Sequence, residues 1–131
     1  MLANFIWVAL GGALGSAARY GLNLTLLGKG SPAVANLPWG TLAANVLGCF
    51  LIGLFTEWAG SKLGMNAQTK LFLTTGFCGG FTTLSTLMLE LTSFLRDRDW
   101  GWALVYLVAS LVLPFVALWL GLGLVKLISQ E

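Results

Sequence analysis

Residues 76–90 read GFCGGFTTLSTLMLE and lie inside one of the most apolar parts of the chain. Between Thr74 and Thr86, six of thirteen residues carry hydroxyls and three are glycines. That is poor material for a helix whose only task is to face lipid. Gly79-Gly80, flanked by Thr74, Thr75, Thr82 and Thr83, predicts a helix broken in mid-membrane. Open backbone at that depth is tolerated only inside protein or beside a water-filled cavity. Released carbonyls can coordinate a hard cation, and released amides or the hydroxyls of Ser85 and Thr86 can solvate an anion. The structural alternative is that the hydroxyls bond back to carbonyls and glue helices together. The stretch predicts a small-ion site.

Working outward, the composition places this stretch in a membrane. The chain has 131 residues, 57% hydrophobic and only 9% charged, where soluble domains carry roughly 25% charged residues. Charge-free runs cover Met1–Ala18, Gly30–Thr56, Leu71–Leu89 and Trp100–Val125, and a spanning helix needs roughly 20 apolar residues. Four transmembrane helices are therefore predicted in one all-α domain over 1–131, with spans at roughly 2–27, 39–58, 70–95 and 100–127. No basic region precedes the first run and no polar domain follows it, so it reads as a retained span rather than a signal peptide. Gly28, Gly30, Ser31, Pro32, Asn36 and Pro38 mark the first loop, Gly60, Ser61, Gly64 and Asn66 the second, and Arg96–Asp99 the third. Trp39, Trp58 and Trp100 sit at span ends, as interfacial aromatics do. Cys49 and Cys78 fall inside predicted spans without CxxC spacing, and read as buried thiols.

Basic residues are nearly balanced between the two sides. Lys62, Lys70 and Lys126 share the side of the N-terminus, while Arg19, Lys29, Arg96 and Arg98 share the other. The positive-inside rule orients a chain by loop asymmetry, so this one is expected to insert both ways, which permits an antiparallel homodimer. Small pairs at Gly11/Gly15, Ala44/Gly48 and Gly76/Gly80 add to the expectation of an oligomer, because they let helix backbones approach closely. No nucleic-acid partner is expected.

Three further polar residues share these spans. Asn45 stands in the second span, and its amide donors must find partners in a dry interior, which makes it a good anion donor. Arg19 ends the first apolar run and can pair with a carboxylate, snorkel to a headgroup or hold anions near an entrance; snorkelling is the default. Glu90 closes the third span, at a solvated mouth, in a salt bridge or in a vestibule.

These residues also carry a resemblance. Gly11-Gly12-xx-Gly15-xxx-Arg19-Tyr20, Gly40-Thr41-Leu42-xx-Asn45-xx-Gly48 and the run Thr75-Gly76-Phe77-Cys78-Gly79-Gly80-Phe81-Thr82-Thr83-Leu84-Ser85-Thr86 resemble the Fluc (CrcB) family of fluoride channels. Tyr106 and Ser110 in the fourth span are similar in placement to that family's tyrosine and serine, whereas Pro114 is not expected there. The resemblance implies a dual-topology homodimer in the cell membrane, with two antiparallel pores that release fluoride passively. It further implies a structural sodium ion at the dimer centre, held by backbone carbonyls of Gly79 and Thr82. The implied fluoride path runs by Thr41, Asn45, Leu84, Ser85, Thr86, Leu87, Glu90, Tyr106 and Ser110, with Arg19 in the vestibule.

One departure bears on mechanism. The family pattern has phenylalanines whose positive ring edges are thought to face fluoride; here Leu84 and Leu87 stand there, with Met88 replacing the serine that follows. Leucine has no quadrupole. The hydroxyls and Asn45 remain, and fluoride, small and strongly hydrated, suits a path of closely placed neutral donors better than a full positive charge that would trap it. A small multidrug-type transporter would share length and dual topology, but it needs an embedded carboxylate that the first span lacks. An enzyme would need a poised acid, base or nucleophile, while the chain has no histidine and its carboxylates lie near span ends, so no catalysis is expected. A non-conducting assembly subunit is the remaining alternative.

Overall fold

A computed structural model describes residues 1–27 and 37–130. The predicted loop positions Gly28, Gly30, Ser31, Pro32 and Asn36, together with Lys29, lie outside the described residues. The described residues form four helical rods. The first rod is α1 (Leu2–Leu26) and the second is α2 (Trp39–Gly60). The third is assembled from α3 (Ala67–Lys70), a π-helical segment (Leu71–Cys78), α4 (Gly79–Phe81) and α5 (Ser85–Arg96). The fourth is α6 (Trp100–Ser129).

Local chemistry explains the starts. Pro38 precedes α2, where a missing N–H costs nothing because the first helical amides have no partner anyway. Asn66 caps α3, its carboxamide accepting the Thr69 N–H at 2.7 Å. Trp39 and Trp100 are the first residues of α2 and α6, and Trp58 lies two residues from the end of α2.

Three rods are long and apolar enough to cross a membrane: Trp39–Gly60, Ala67–Arg96 and Trp100–Ser129. The first is not among them, although its 25 residues reach about 37 Å. Asn4, Gly11, Gly12, Ser16, Arg19 and Asn23 dilute its apolar character. The expectation of four spans thus holds on length and hydropathy for three helices.

Packing runs along two seams. One joins α2 to α6. Its α6 side is a stripe of buried residues, Ala103, Tyr106, Ser110, Pro114, Ala117, Gly121 and Val125, spaced three and four apart so that they share one helical face. The second seam joins α1 to the π-helical segment and α4. A β-carbon on Gly11 would overlap the Phe72 carbonyl, and one on Gly15 would overlap the Phe77 carbonyl. The two backbones therefore touch, a spacing that only glycine permits.

This second seam corrects one inference from the sequence. Gly11, Gly15, Gly76 and Gly80 all serve contacts within the chain, while Ala44 is fully buried and Gly48 faces the Thr82 methyl group. The small pairs are used up inside one copy and give no support to an oligomer.

The break is also displaced from its expected place. Gly79 is helical, with φ −63° and ψ −38°, and α4 continues through Gly80 to Phe81. The chain leaves the helix at Thr82, with φ −86° and ψ 155°. Gly80 is there for contact: a β-carbon on it would overlap the Gly12 carbonyl. Gly80→Ala is accordingly expected to cost about 1–3 kcal/mol through overpacking, whereas Gly21→Ala, with nothing within 4 Å, is expected to be neutral or slightly stabilising. Thermal unfolding of the two variants in detergent checks the contrast.

Candidate functional site

Thr83 is the centre of the break. Its N–H donates to Asn45 Oδ1 at 2.8 Å, and its carbonyl accepts from Asn45 Nδ2 at 3.0 Å. The carboxamide of a buried residue on α2 thus replaces the helical bonds that Thr83 has lost, as buried backbone requires. The Thr83 hydroxyl accepts the Thr86 N–H at 3.2 Å and donates to Thr86 Oγ1 at 3.1 Å. It caps α5, a role legible in the Thr83-x-x-Thr86 spacing but not assigned from the sequence. Ser85 Oγ lies 3.3 Å from the same hydroxyl.

These bonds release two carbonyls. In a continuous helix the Thr83 N–H would serve Gly79 and the Thr86 N–H would serve Thr82. Both amides are turned to side chains instead. A third carbonyl, that of Gly80, is met from α1, accepting from Arg19 Nε at 3.2 Å and Ser16 Oγ at 3.4 Å. Arg19 therefore does not take its default course to a headgroup. It secures the C-terminal end of α4, where a cation is favoured over a neutral donor.

A cleft of about 440 Å³ opens beside the break, lined by Asn45, Cys49, Gly79, Thr82, Thr83, Leu84, Leu87, Met88, Leu107, Ser110, Leu111 and Pro114. Leu84 is 69% exposed at its edge, whereas Leu87 is packed with Leu42 and Tyr106 in the core. Arg19 does not line it. Ser110 is buried, and its Oγ has no hydrogen-bond partner among the described residues.

Beyond Leu87 lies a second polar group. The fully buried Tyr106 donates its hydroxyl to Glu90 Oε2 at 2.6 Å, and Thr41 donates to Glu90 Oε1 at 2.7 Å. Of the three settings considered for Glu90, the salt bridge is not the one found among the described residues: each carboxylate oxygen is held by a hydroxyl. Phe94 fixes the Tyr106 ring from the side, with centroids 5.9 Å apart. Glu90 also lines a cavity of about 340 Å³ with Asp97 and Asp99 and another of about 270 Å³ with Asn23 and Thr41.

The site residues named from sequence thus fall into three neighbouring groups. Asn45, Ser110, Leu84, Leu87, Gly79 and Thr82 share the cleft; Thr41, Glu90 and Tyr106 share the carboxylate network; Ser85 and Thr86 join Thr83 at the start of α5. The donors are neutral, and no histidine is present. Such an arrangement can solvate ions.

A family described as "CrcB-like protein, Camphor Resistance (CrcB)" matches residues 6–122. The chain belongs to the CrcB-like family. A relative from Chlorobium phaeobacteroides (strain DSM 266) is 44% identical over 126 residues, 96% of this chain and 95% of its own length. One from Chlorobium chlorochromatii is 45% identical over 120 residues, 92% and 90% of the two chains, and one from Agrobacterium fabrum 41% over 123 residues, 94% and 96%. Each of these three is named a fluoride-specific ion channel FluC.

In this CrcB-like chain the Asn45 carboxamide is needed whole. Asn45→Asp keeps an acceptor for the Thr83 N–H but sets a carboxylate oxygen against the Thr83 carbonyl. We expect a loss of about 1–3 kcal/mol together with faster amide exchange at Thr83, read by thermal unfolding and hydrogen exchange in detergent. Exchange at native rate would show that the amide has another partner.

Proposed function

We propose that this chain is a fluoride-specific ion channel, a multi-pass protein of the cell membrane that lets fluoride leave the cell passively down its gradient. The observation that carries this reading is the break held by Asn45, which gathers the polar residues Asn45, Thr82 and Thr83 along one cleft while Arg19 is engaged elsewhere. Fluoride binds hydrogen-bond donors strongly, and a path of neutral donors can replace its hydration without a well too deep to leave. Belonging to the CrcB-like family supports the same conclusion, as does the name shared by relatives covering nearly the whole chain.

All four rods span the bilayer in this reading, α1 lying against the third rod with Arg19 at the break. The cleft is open on one side, with Leu84 at its rim and Asn45, Thr82 and Thr83 along it. In lipid such polar lining needs a cover. A second copy in antiparallel orientation supplies it, and the balance of basic residues on the two sides favours that pairing. A sodium ion fits the chemistry of the break. The Gly79 and Thr82 carbonyls have lost their helical donors, and nothing lies within 4 Å of where a Gly79 side chain would stand. These two carbonyls from each copy would hold the ion, which supplies a fixed positive charge between the copies. No side-chain carboxylate is needed.

Two measurements test the reading. With Leu84 and Leu87 in place of rings, donors must carry the ion. Native protein in liposomes is expected to release fluoride, Leu84→Ala to stay within about twofold, and Thr86→Val to lose roughly tenfold or more by deleting one donor at nearly constant volume. A fluoride electrode reads all three, and native liposomes as silent as empty ones would overturn the function. Orientation is read separately, by single cysteines near Asn66 in a background lacking Cys49 and Cys78. Labelling from both faces of the membrane is expected; labelling from one face would rule out the antiparallel pair.

A further inference from the structure

Thr83 has no place in the fluoride path implied by resemblance, yet its hydroxyl meets two residues that do. It accepts the Thr86 N–H at 3.2 Å, donates to Thr86 Oγ1 at 3.1 Å and lies 3.3 Å from Ser85 Oγ. A hydroxyl has a single proton. Since that of Thr83 goes to Thr86, Ser85 is the donor in the remaining contact. Ser85 has then given up its proton, whereas Thr86 has accepted one and still holds its own.

That retained proton sets Thr86 apart from its neighbours. Thr74, Thr82, Thr92 and Ser93 each donate back to the carbonyl four residues earlier, at 2.7, 2.9, 2.8 and 3.4 Å, a common course for a hydroxyl inside a helix. For Thr86 that carbonyl belongs to Thr82. No such bond forms, and among the described residues nothing takes the Thr86 proton. Thr86 is half-buried, and Glu90 stands four residues on along the same face of α5. A hydroxyl that accepts one hydrogen bond donates the next more strongly, because bonds in a chain polarise one another.

We infer that Thr83 is a positioning residue: its hydroxyl holds Thr86 Oγ1 as an acceptor, keeps the Thr86 proton off the Thr82 carbonyl and leaves that proton for the passing anion. The inference deepens the fluoride-channel reading and rests on it. It gives the Thr83 hydroxyl two separable tasks. Capping the Thr86 N–H steadies the start of α5 and needs only the backbone of residue 86. Turning the Thr86 hydroxyl toward the ion needs its side chain.

Removing the Thr86 hydroxyl separates the two tasks. Full-length native, Thr83→Val, Thr83→Ser, Thr86→Val and doubly substituted Thr83→Val/Thr86→Val proteins are compared for fluoride efflux from liposomes and for thermal unfolding in detergent. Efflux is expected to fall roughly fivefold in Thr83→Val and to recover in Thr83→Ser, which returns the hydroxyl. In the double variant it is expected to be no lower than in Thr86→Val, because Thr83 acts on the ion through the hydroxyl already removed. Unfolding temperature is expected to drop by the same amount when Thr83→Val is made in either background, since the Thr86 N–H loses its cap in both. A threonine that only capped α5 would slow efflux by the same factor in both backgrounds, and that result would overturn the inference while leaving the channel standing. So would native efflux in Thr83→Val, or efflux in Thr83→Ser as slow as in Thr83→Val. Thr83→Cys, a weaker donor and acceptor, takes the same comparisons if the valine variant does not assemble. A native protein without efflux would defeat the channel, and the inference with it.

Discussion

The paired hydrogen bonds between the Asn45 carboxamide and the Thr83 backbone are the constraint on which the rest of this structure depends. An isolated gap in a membrane helix leaves several polar backbone groups without water, each costing several kcal/mol. One carboxamide meets a donor and an acceptor at once, so the gap at Thr82–Leu84 closes without lengthening α4 or α5. The bond has a second effect. By taking the Thr83 N–H, Asn45 strips Gly79 of its helical donor, just as the Thr83 hydroxyl strips Thr82 by capping Thr86. The break is held rigid and the carbonyls beside it are set free by the same few bonds.

Holding the gap in place requires the third rod to be fixed along its length, and the seam with α1 does this by backbone contact. Glycine at 11 and 15 lets α1 lie on the Phe72 and Phe77 carbonyls. The rod it lies on is π-helical from Leu71 to Cys78, and the wider turn of such a segment is a recurrent feature of functional sites. Close approach then brings Arg19 and Ser16 to the Gly80 carbonyl. Side chains on α1 thereby finish the end of α4, while α2 finishes the start of α5. Two successive rods, themselves in contact, share the work of stabilising a third.

How much of this was legible in the sequence divides along a physical line. Long charge-free runs announce helices because no other lone segment satisfies its backbone in lipid, and the described residues form four helical rods. Hydroxyls and glycines crowded between Thr74 and Thr86 announce an interrupted helix. They do not say where the interruption falls: Gly79-Gly80 looked weakest by propensity, yet packing against Gly12 keeps that pair helical, and capping by Thr83 moves the gap three residues on. Asn45 stood out as a buried amide in need of partners, but that its partner is backbone rather than ligand depends on two distant segments meeting. Arg19 shows the same difficulty, since snorkelling is a property of one helix and its bond to Gly80 a property of two. The small-residue pairs misled for a related reason. Their spacing reports that a backbone comes close, not whose backbone it is.

Charge is arranged in this protein so that little of it reaches the cleft undiluted. The Arg19 guanidinium is spent on the Gly80 carbonyl and does not line the cleft. The Glu90 carboxylate accepts one hydroxyl at each oxygen, from Thr41 and Tyr106, and hydrogen bonds to an ionised group are the stronger kind. What the cleft is left with are amide, hydroxyl and released carbonyl groups, dipoles whose attraction falls off faster with distance than that of a full charge. In a low-dielectric interior a lone arginine would bind a small anion too tightly for quick release, and a lone carboxylate would exclude it. Oriented dipoles avoid both outcomes, and they discriminate by how closely an ion can approach. In the proposed channel a small anion that could press against the donors would gain most from them, so size selectivity would follow from the same choice of neutral groups that would keep the ion moving.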